Sequence, residues 1–275
     1  MAQAMNVDAP GSSPEGIRES IAVASGKGGV GKSTVGVNRW VGSRKMGRRG
    51  GLPDADVYGP NVPIMLGASG DLVTVDGAIS PLEAHGIKLM SLGFMLEEGT
   101  PVIWRGPMIA GALKQMLNDV AWGELDYLVL DLPPGTGDAS LTLAQMMPLS
   151  GAVIVSTPQE VALQDVKRSI AMFERLSVPV LGLVENMSYY VHQPTGDRVE
   201  IFGHGGARKA ADDLGIKFLG EVPLDPAIRE GGDKGSPVGA DAASTLGAAF
   251  AEIAGRVEES VGAGEPEVED DLPML

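Results

Sequence analysis

The run Gly26-Lys27-Gly28-Gly29-Val30-Gly31-Lys32-Ser33-Thr34 satisfies G-x-x-x-x-G-K-[ST], with an apolar stretch (Ile21 to Ser25) before it and a helical pattern after it. Strand, glycine-rich loop and helix in that order constrain the fold more than any other feature, because the three together make a phosphate cradle. Glycines let the backbone curl so that successive N–H groups point at phosphate oxygens, and the helix that follows adds its positive N-terminal end. Lys32 is expected at the β- and γ-phosphates and the Ser33 hydroxyl on Mg²⁺, with Gly26, Lys27, Gly28, Gly29, Val30, Gly31 and Thr34 completing the site for a nucleotide such as ATP.

Further short apolar runs begin at Ile87 (IKLMSL), Leu125 (LDYLVLD), Gly151 (GAVIVST), Pro179 (PVLGLVEN) and Lys217 (KFLGEVP). Nearly continuous Val, Ile and Leu suits strands covered on both faces, and segments between them, such as Gln159 to Leu176 and Gly206 to Leu214, have helical composition. The prediction is an α/β fold with a doubly wound, mostly parallel sheet, of the P-loop NTPase type, whose ligand crevice lies at the carboxyl ends of the strands. No internal repeat is present. A chain of 275 residues buries enough surface for one such domain, expected over 18–260. Residues 1–17 read as a disordered leader without the basic and apolar regions of a signal peptide, and 261–275 as an acidic disordered tail.

With 21 Lys and Arg against 36 Asp and Glu, the formal charge is -15. Such a surface repels a phosphate-rich polymer, which argues against nucleic-acid binding while leaving room for one focused anion site. No apolar stretch approaches the roughly 20 residues of a membrane span. The expected location is the cytoplasm, with no membrane partner.

Asp131 closes the run Leu128-Val129-Leu130 and precedes Leu132-Pro133-Pro134-Gly135-Thr136-Gly137-Asp138. A carboxylate at the end of a hydrophobic strand in a P-loop protein is placed to hold Mg²⁺ through its waters. Gly135 follows where a loop N–H can sense the γ-phosphate, the usual basis of a nucleotide switch. Asp54 and Asp56 stand two residues apart on an extended segment, so both carboxylates face one side and can approach one metal-phosphate site.

The early lysine of the loop, Lys27, resembles the deviant Walker A group that includes the MinD and ParA ATPases. That resemblance implies a homodimer in which Lys27 reaches the partner's nucleotide, with Asp56 orienting the attacking water and Asp54 supporting the Mg²⁺ shell. GKGGVGKST, DADVYGPNVPIMLG, IWRGPM, LDYLVLDLPPGTGD, STPQEVALQDV, ENMSYY and IFGHGG, in this order, are similar to the Mrp/ApbC family of P-loop iron–sulfur cluster carriers from Ile21 to Gly255. Membership implies slow ATP hydrolysis and a transiently bound [4Fe–4S] cluster passed to apo iron–sulfur proteins or exchanged with assembly factors. It also implies that Asn186 reads adenine through its amide and that Pro223 and Leu224 line the base.

Two departures stand against this pattern. The family's C-x-x-C cluster ligands fall on His192 and Thr195 here, and the chain has no cysteine at all. Threonine is no substitute, and histidine ligates iron in such centres only beside cysteines. The alternative is therefore a cluster-free, MinD/ParA-like switch whose ATP-bound dimer recruits a protein partner. The second departure runs from Asn38 to Pro53, where an alanine-rich helix and an apolar strand are the family's pattern. If Val37, Trp40 and Val41 face the core, Arg44 falls on the same stripe. Gly36 and Gly42 each cost roughly 1 kcal/mol against alanine, and Pro53 removes a ladder donor. This helix is expected to be the weakest part of the fold.

Overall fold

The computed structural model describes residues 14–56, 59–95 and 106–262. In chain order it contains β1 (Ile17–Ala24), α1 (Lys32–Lys45), β2 (Gly50–Asp54), α2 (Val62–Leu66), β3 (Val73–Val75), β4 (Ala78–Ser80), β5 (Leu82–Ala84) and β6 (Ile87–Ser91). There follow α3 (Gly106–Asn118), β7 (Leu125–Asp131), α4 (Asp138–Met146), β8 (Gly151–Ser156), α5 (Glu160–Arg175) and β9 (Val180–Asn186). The chain then makes a hairpin of β10 (Tyr190–His192) and β11 (Asp197–Val199), and ends with α6 (Gly206–Leu214), β12 (Phe218–Val222), α7 (Pro226–Asp233) and α8 (Thr245–Gly262). Ile17 thus opens the first strand, and α8 continues to Gly262, two residues into the segment expected as tail; residues 1–13 of the leader, the tail from 263 and residues 103–105 of IWRGPM lie outside the described residues.

Every apolar run becomes a strand of one 8-stranded sheet in the order β12-β9-β8-β1-β7-β2-β6-β5, parallel except where β5 meets β6. Strand periodicity divides the core into two layers. Ile21 and Val23 join Val129, Val153 and Trp40 on one face, while Ala22 and Ala24 join Leu128, Leu130, Ile154 and Phe173 on the other. α1 and α8 cover the first face, and α3 to α6 the second. Parallel pairing brings the carboxyl ends of β1, β2, β7 and β9 to one edge of the sheet, where the loops that follow them carry the site.

The stretch from Asn38 to Pro53 does form a helix and a strand, with three changes from the sequence expectation. Val37, Trp40 and Val41 are buried as expected, but Arg44 lies at the surface and donates from Nε to the Gly86 carbonyl at 3.1 Å. Arg39 is buried instead, at 0% exposure. Glu258 of α8 and Tyr127 of β7 stand near enough to act on its guanidinium charge, so Arg39 points toward those elements. Trp40 fits because Gly50 opposite it has no side chain; a Cβ there would collide with the indole, which stacks edge-on to Tyr127 at 5.4 Å. Helix and strand departures from the family pattern are therefore complementary at this contact. Pro53 is accommodated within β2, which pairs with β6 through Pro53↔Met90, whereas its register with β7 has no pair at Leu52 or Pro53 and resumes at Asp54↔Asp131.

Candidate functional site

The loop after β1 meets α1 at Gly31, whose φ of 79° is left-handed. A side chain at Gly31 would strike the Asn186 amide, and Asn186 Nδ2 donates to the Val30 carbonyl at 2.8 Å. The loop is thus shaped against the end of β9, a contact between residues 156 positions apart.

At the first turn of α1, Lys32 Nζ lies 2.7 Å from Asp131 Oδ2, 3.9 Å from Asp56 Oδ2 and donates to Ser33 Oγ at 3.1 Å. Ser33 Oγ in turn donates to Asp131 Oδ2 at 2.6 Å. The second oxygen of Asp131, Oδ1, is buried with no hydrogen-bond partner among the described residues. An orphaned carboxylate oxygen beside a serine hydroxyl is a fitting donor set for Mg²⁺, which prefers oxygen ligands and keeps several waters.

Asp54 is fully buried, adjacent to Asp131 in the parallel register. It accepts from Ser91 Oγ at 2.9 Å, from Val62 N at 3.3 Å and from Asp56 N at 3.2 Å. Burial and then the Asp131 charge push its pKa up to about 7. A carboxyl whose folded pKa is raised contributes stability that is complete below its ordinary value and lost as pH rises through the folded one. Melting temperature without nucleotide or Mg²⁺ is accordingly expected to fall between about pH 4 and 7, with a shallower slope in Asp54→Asn. Parallel slopes in thermal scans of the two proteins would refute the assignment.

Two cavities share lining residues, and one of them lies at Lys32, Ser33 and Asp56. One of about 190 Å³ is lined by Gly28 to Thr34 with Ser25, Asp56, Asn61, Met65 and Pro134. The other, about 360 Å³, lies between α2 and α7 and includes Asn186, Met187, Pro223, Leu224 and Ile228. Thr34, Asn61 and Met65 line both, so a phosphate-sized pocket adjoins a mostly apolar cleft. Gly26 and Lys27 sit at the loop's start, half-buried. The Gly135 N–H donates to the Ser25 carbonyl at 2.9 Å.

Asn61, Met65, Ser91 and Ile228 escaped the sequence reading. Only Asn61 carried a signal, standing beside Pro60 just ahead of a short helix; the others become neighbours of the site through the sheet and the α2–α7 contact.

Residues 16–258 match the family described as ParA, NUBPL iron-transfer P-loop NTPase. The chain belongs to that family. It is a P-loop ATPase, and several of its curated relatives are named iron–sulfur cluster carrier protein. The protein of that name from Synechocystis is 50% identical over 252 residues, covering 88% of this chain and 71% of its own length. Its counterpart from Aquifex aeolicus is 51% identical over 226 residues, covering 81% of this chain, which spans 62% of that relative. Among solved structures, a nucleotide-binding protein from Archaeoglobus fulgidus in complex with ADP, with cobalt found by PIXE, is 40% identical and superposes with a TM-score of 0.73 over 95% of this chain and 94% of that one. The cell-division ATPase MinD from Pyrococcus furiosus, at 22% identity and a TM-score of 0.66 over 88% of this chain and 98% of its own, shares the fold. No helix among the described residues is long and apolar enough to cross a membrane.

His192 and Thr195, the positions at which the resemblance places the cluster ligands, lie in the β10–β11 hairpin. His192 Nδ1 lies 3.0 Å from Thr195 Oγ1, which donates to Asp197 Oδ2 at 2.7 Å, all three exposed. With no cysteine in the chain, this donor set does not fit a [4Fe–4S] cargo, whose irons take thiolates.

Proposed function

We propose that the chain binds and hydrolyses ATP as a homodimeric, cytoplasmic carrier in iron–sulfur assembly that delivers to apo proteins or assembly factors without holding a thiolate-ligated cluster. The observation that carries the ATPase part is the Lys32–Ser33–Asp131 constellation at the mouth of the 190 Å³ cradle. In this reading the 26–34 backbone holds the phosphates and Lys32 leaves Asp131 to contact the β- and γ-oxygens. Asn186, its Nδ2 committed to Val30, turns Oδ1 toward the amine of adenine, with Pro223 against the ring. Ser33 and Asp131 would hold Mg²⁺, supported by Asp54, and the bound ion would supply positive charge beside the phosphates. Asp56, near Lys32 and at the cradle, orients the attacking water. Gly135 exchanges Ser25 for the γ-phosphate, coupling occupancy to the loop that follows β7. Lys27 reaches across the dimer to the partner's nucleotide.

The missing thiolates favour a second reading, a cluster-free dimerisation switch that recruits a partner protein. Anaerobic reconstitution with iron and sulfide tests the absence of a thiolate-ligated cluster that both readings share. Colourless protein that hydrolyses ATP is expected; stoichiometric iron with a sulfur-to-iron charge-transfer band would show that a cluster is held after all. In light scattering with Mg-ATP, the wild type is expected to shift to the dimer and Lys27→Ala to remain monomeric. A Lys27→Ala protein that dimerises equally would remove the cross-dimer role.

A further inference from the structure

A second pair of carboxylates stands where the nucleotide site does not use them. Glu185 and Glu221 occupy paired positions on the adjacent parallel strands β9 and β12, as Asp54 and Asp131 do on β2 and β7. At the first pair Lys32 supplies the positive charge. At the second, Glu185 is completely buried and accepts from Ser188 Oγ at 2.5 Å, Gly205 N at 2.9 Å and Ala207 N at 2.7 Å. The single Ser188 proton stands between the two carboxylates, its oxygen 3.2 Å from Glu221 Oε2. His204 Nε2 lies 2.8 Å from that same oxygen, and Arg198 reaches Glu221 Oε1 at 3.4 Å. One ligand atom each from Glu185, His204 and Glu221 lies within 4.8 Å of the others. Like charges paired across a ladder repel, and burial strengthens the repulsion.

We propose that Glu185, Glu221 and His204 bind one divalent first-row transition ion such as Zn²⁺ or Fe²⁺. Two carboxylate oxygens and one imidazole nitrogen, with water completing the shell, suit these ions; Mg²⁺ and Ca²⁺ prefer an all-oxygen set. The ligands are held from behind, as metal sites require. Backbone N–H groups of Gly205 and Ala207 at the start of α6 fix Glu185, and the Glu200 carboxylate lies 3.7 Å from His204 Nδ1. His204 is exposed and Glu221 half-buried, so the ion has a path from solvent. Arg198 of β11 touches Glu221 and stacks on Tyr189, which seats the β10–β11 hairpin on the cluster. Glu185 also precedes Asn186, so the end of β9 places a metal ligand and a nucleotide-cleft residue side by side in the chain. That the ion is the transported cargo rests on the carrier reading above; the site itself does not.

The test uses the full chain, stripped with chelator and then saturated with Mg-ADP to fill the nucleotide site. Titration with Co²⁺, read by its visible d–d absorption, and with Zn²⁺ by calorimetry is expected to show one equivalent bound. His204→Ala and Glu221→Gln are expected to weaken it by about tenfold or more, while His192→Ala, on the hairpin, keeps it. Each variant's thermal shift with Mg-ATP reports whether it is folded and binds nucleotide. No Co²⁺ or Zn²⁺ binding by the wild type, or equal binding by the wild type and both ligand variants, would overturn the site. Metal binding without ATP hydrolysis would leave the site standing and remove the carrier reading, whereas hydrolysis without metal binding would do the reverse.

Discussion

Replacing Lys32 with alanine is expected to abolish ATP hydrolysis, lowering phosphate release by about 10²- to 10³-fold or beyond detection. Lys32 is 5% exposed and within 4 Å of two carboxylates, with Asp54 paired to Asp131 on the adjacent strand. Without its ammonium, the γ-phosphate would meet Asp54, Asp56 and Asp131 with no side-chain cation between them. The same substitution leaves Asp131 buried without its ion-pair partner, a loss of roughly 3–5 kcal/mol in comparable pairs, so melting temperature without nucleotide is expected to fall as well. Asp56→Ala separates chemistry from binding: turnover is expected to drop while Mg-ATP still raises the melting temperature by mass action. Equal phosphate release by the wild type and both variants would sink the catalytic assignment.

The second large effect has the opposite sign. Arg39→Met is expected to stabilise the protein. Arg39 is completely buried in α1, and none of its three nitrogens has a hydrogen-bond partner among the described residues; the Trp40 indole nitrogen and the Ser43 hydroxyl beside it are unpartnered too. Its guanidinium lies 5.3 Å from the Trp40 ring centre, a contact too weak to replace hydration. Burial lowers its pKa from 12.5 to about 10, against the opposing attraction of Glu258. At 1.36 kcal/mol per unit, that depression corresponds to roughly 3 kcal/mol held against folding. Methionine keeps the apolar stem and removes the unpaired charge, and for a domain of this size the melting temperature should rise by roughly 6–12 °C. An unchanged or lower melting temperature by calorimetry would show that a partner for Arg39 exists in solution.

Much of the fold could be read from the chain because parallel strands covered on both faces need continuous apolar runs, and β1, β6, β7, β8, β9 and β12 have them. β2 had no such run. Its Gly50-Gly51-Leu52-Pro53-Asp54 works as a strand because Trp40 fills the space above Gly50 and the β7 pairing skips Pro53, a compensation between residues of two different elements. Arg39 and Arg44 changed places relative to the expected stripe for a related reason: in a helix so polar, the apolar spacing did not define one face.

The phosphate-loop chemistry was local and therefore legible. Loop, lysine and serine are consecutive, and backbone geometry alone points their donors inward. The absence of every cysteine was equally plain and removed the thiolates from the positions at which the resemblance places the cluster ligands. What tertiary structure alone decided is how distant carboxylates are paired. Asp54 meets Asp131, and Glu185 meets Glu221, only because β2 lies beside β7 and β12 beside β9. Strand order is set by crossover packing of helices on both faces of the sheet, so no pattern within any one strand could reveal which charges would share a site.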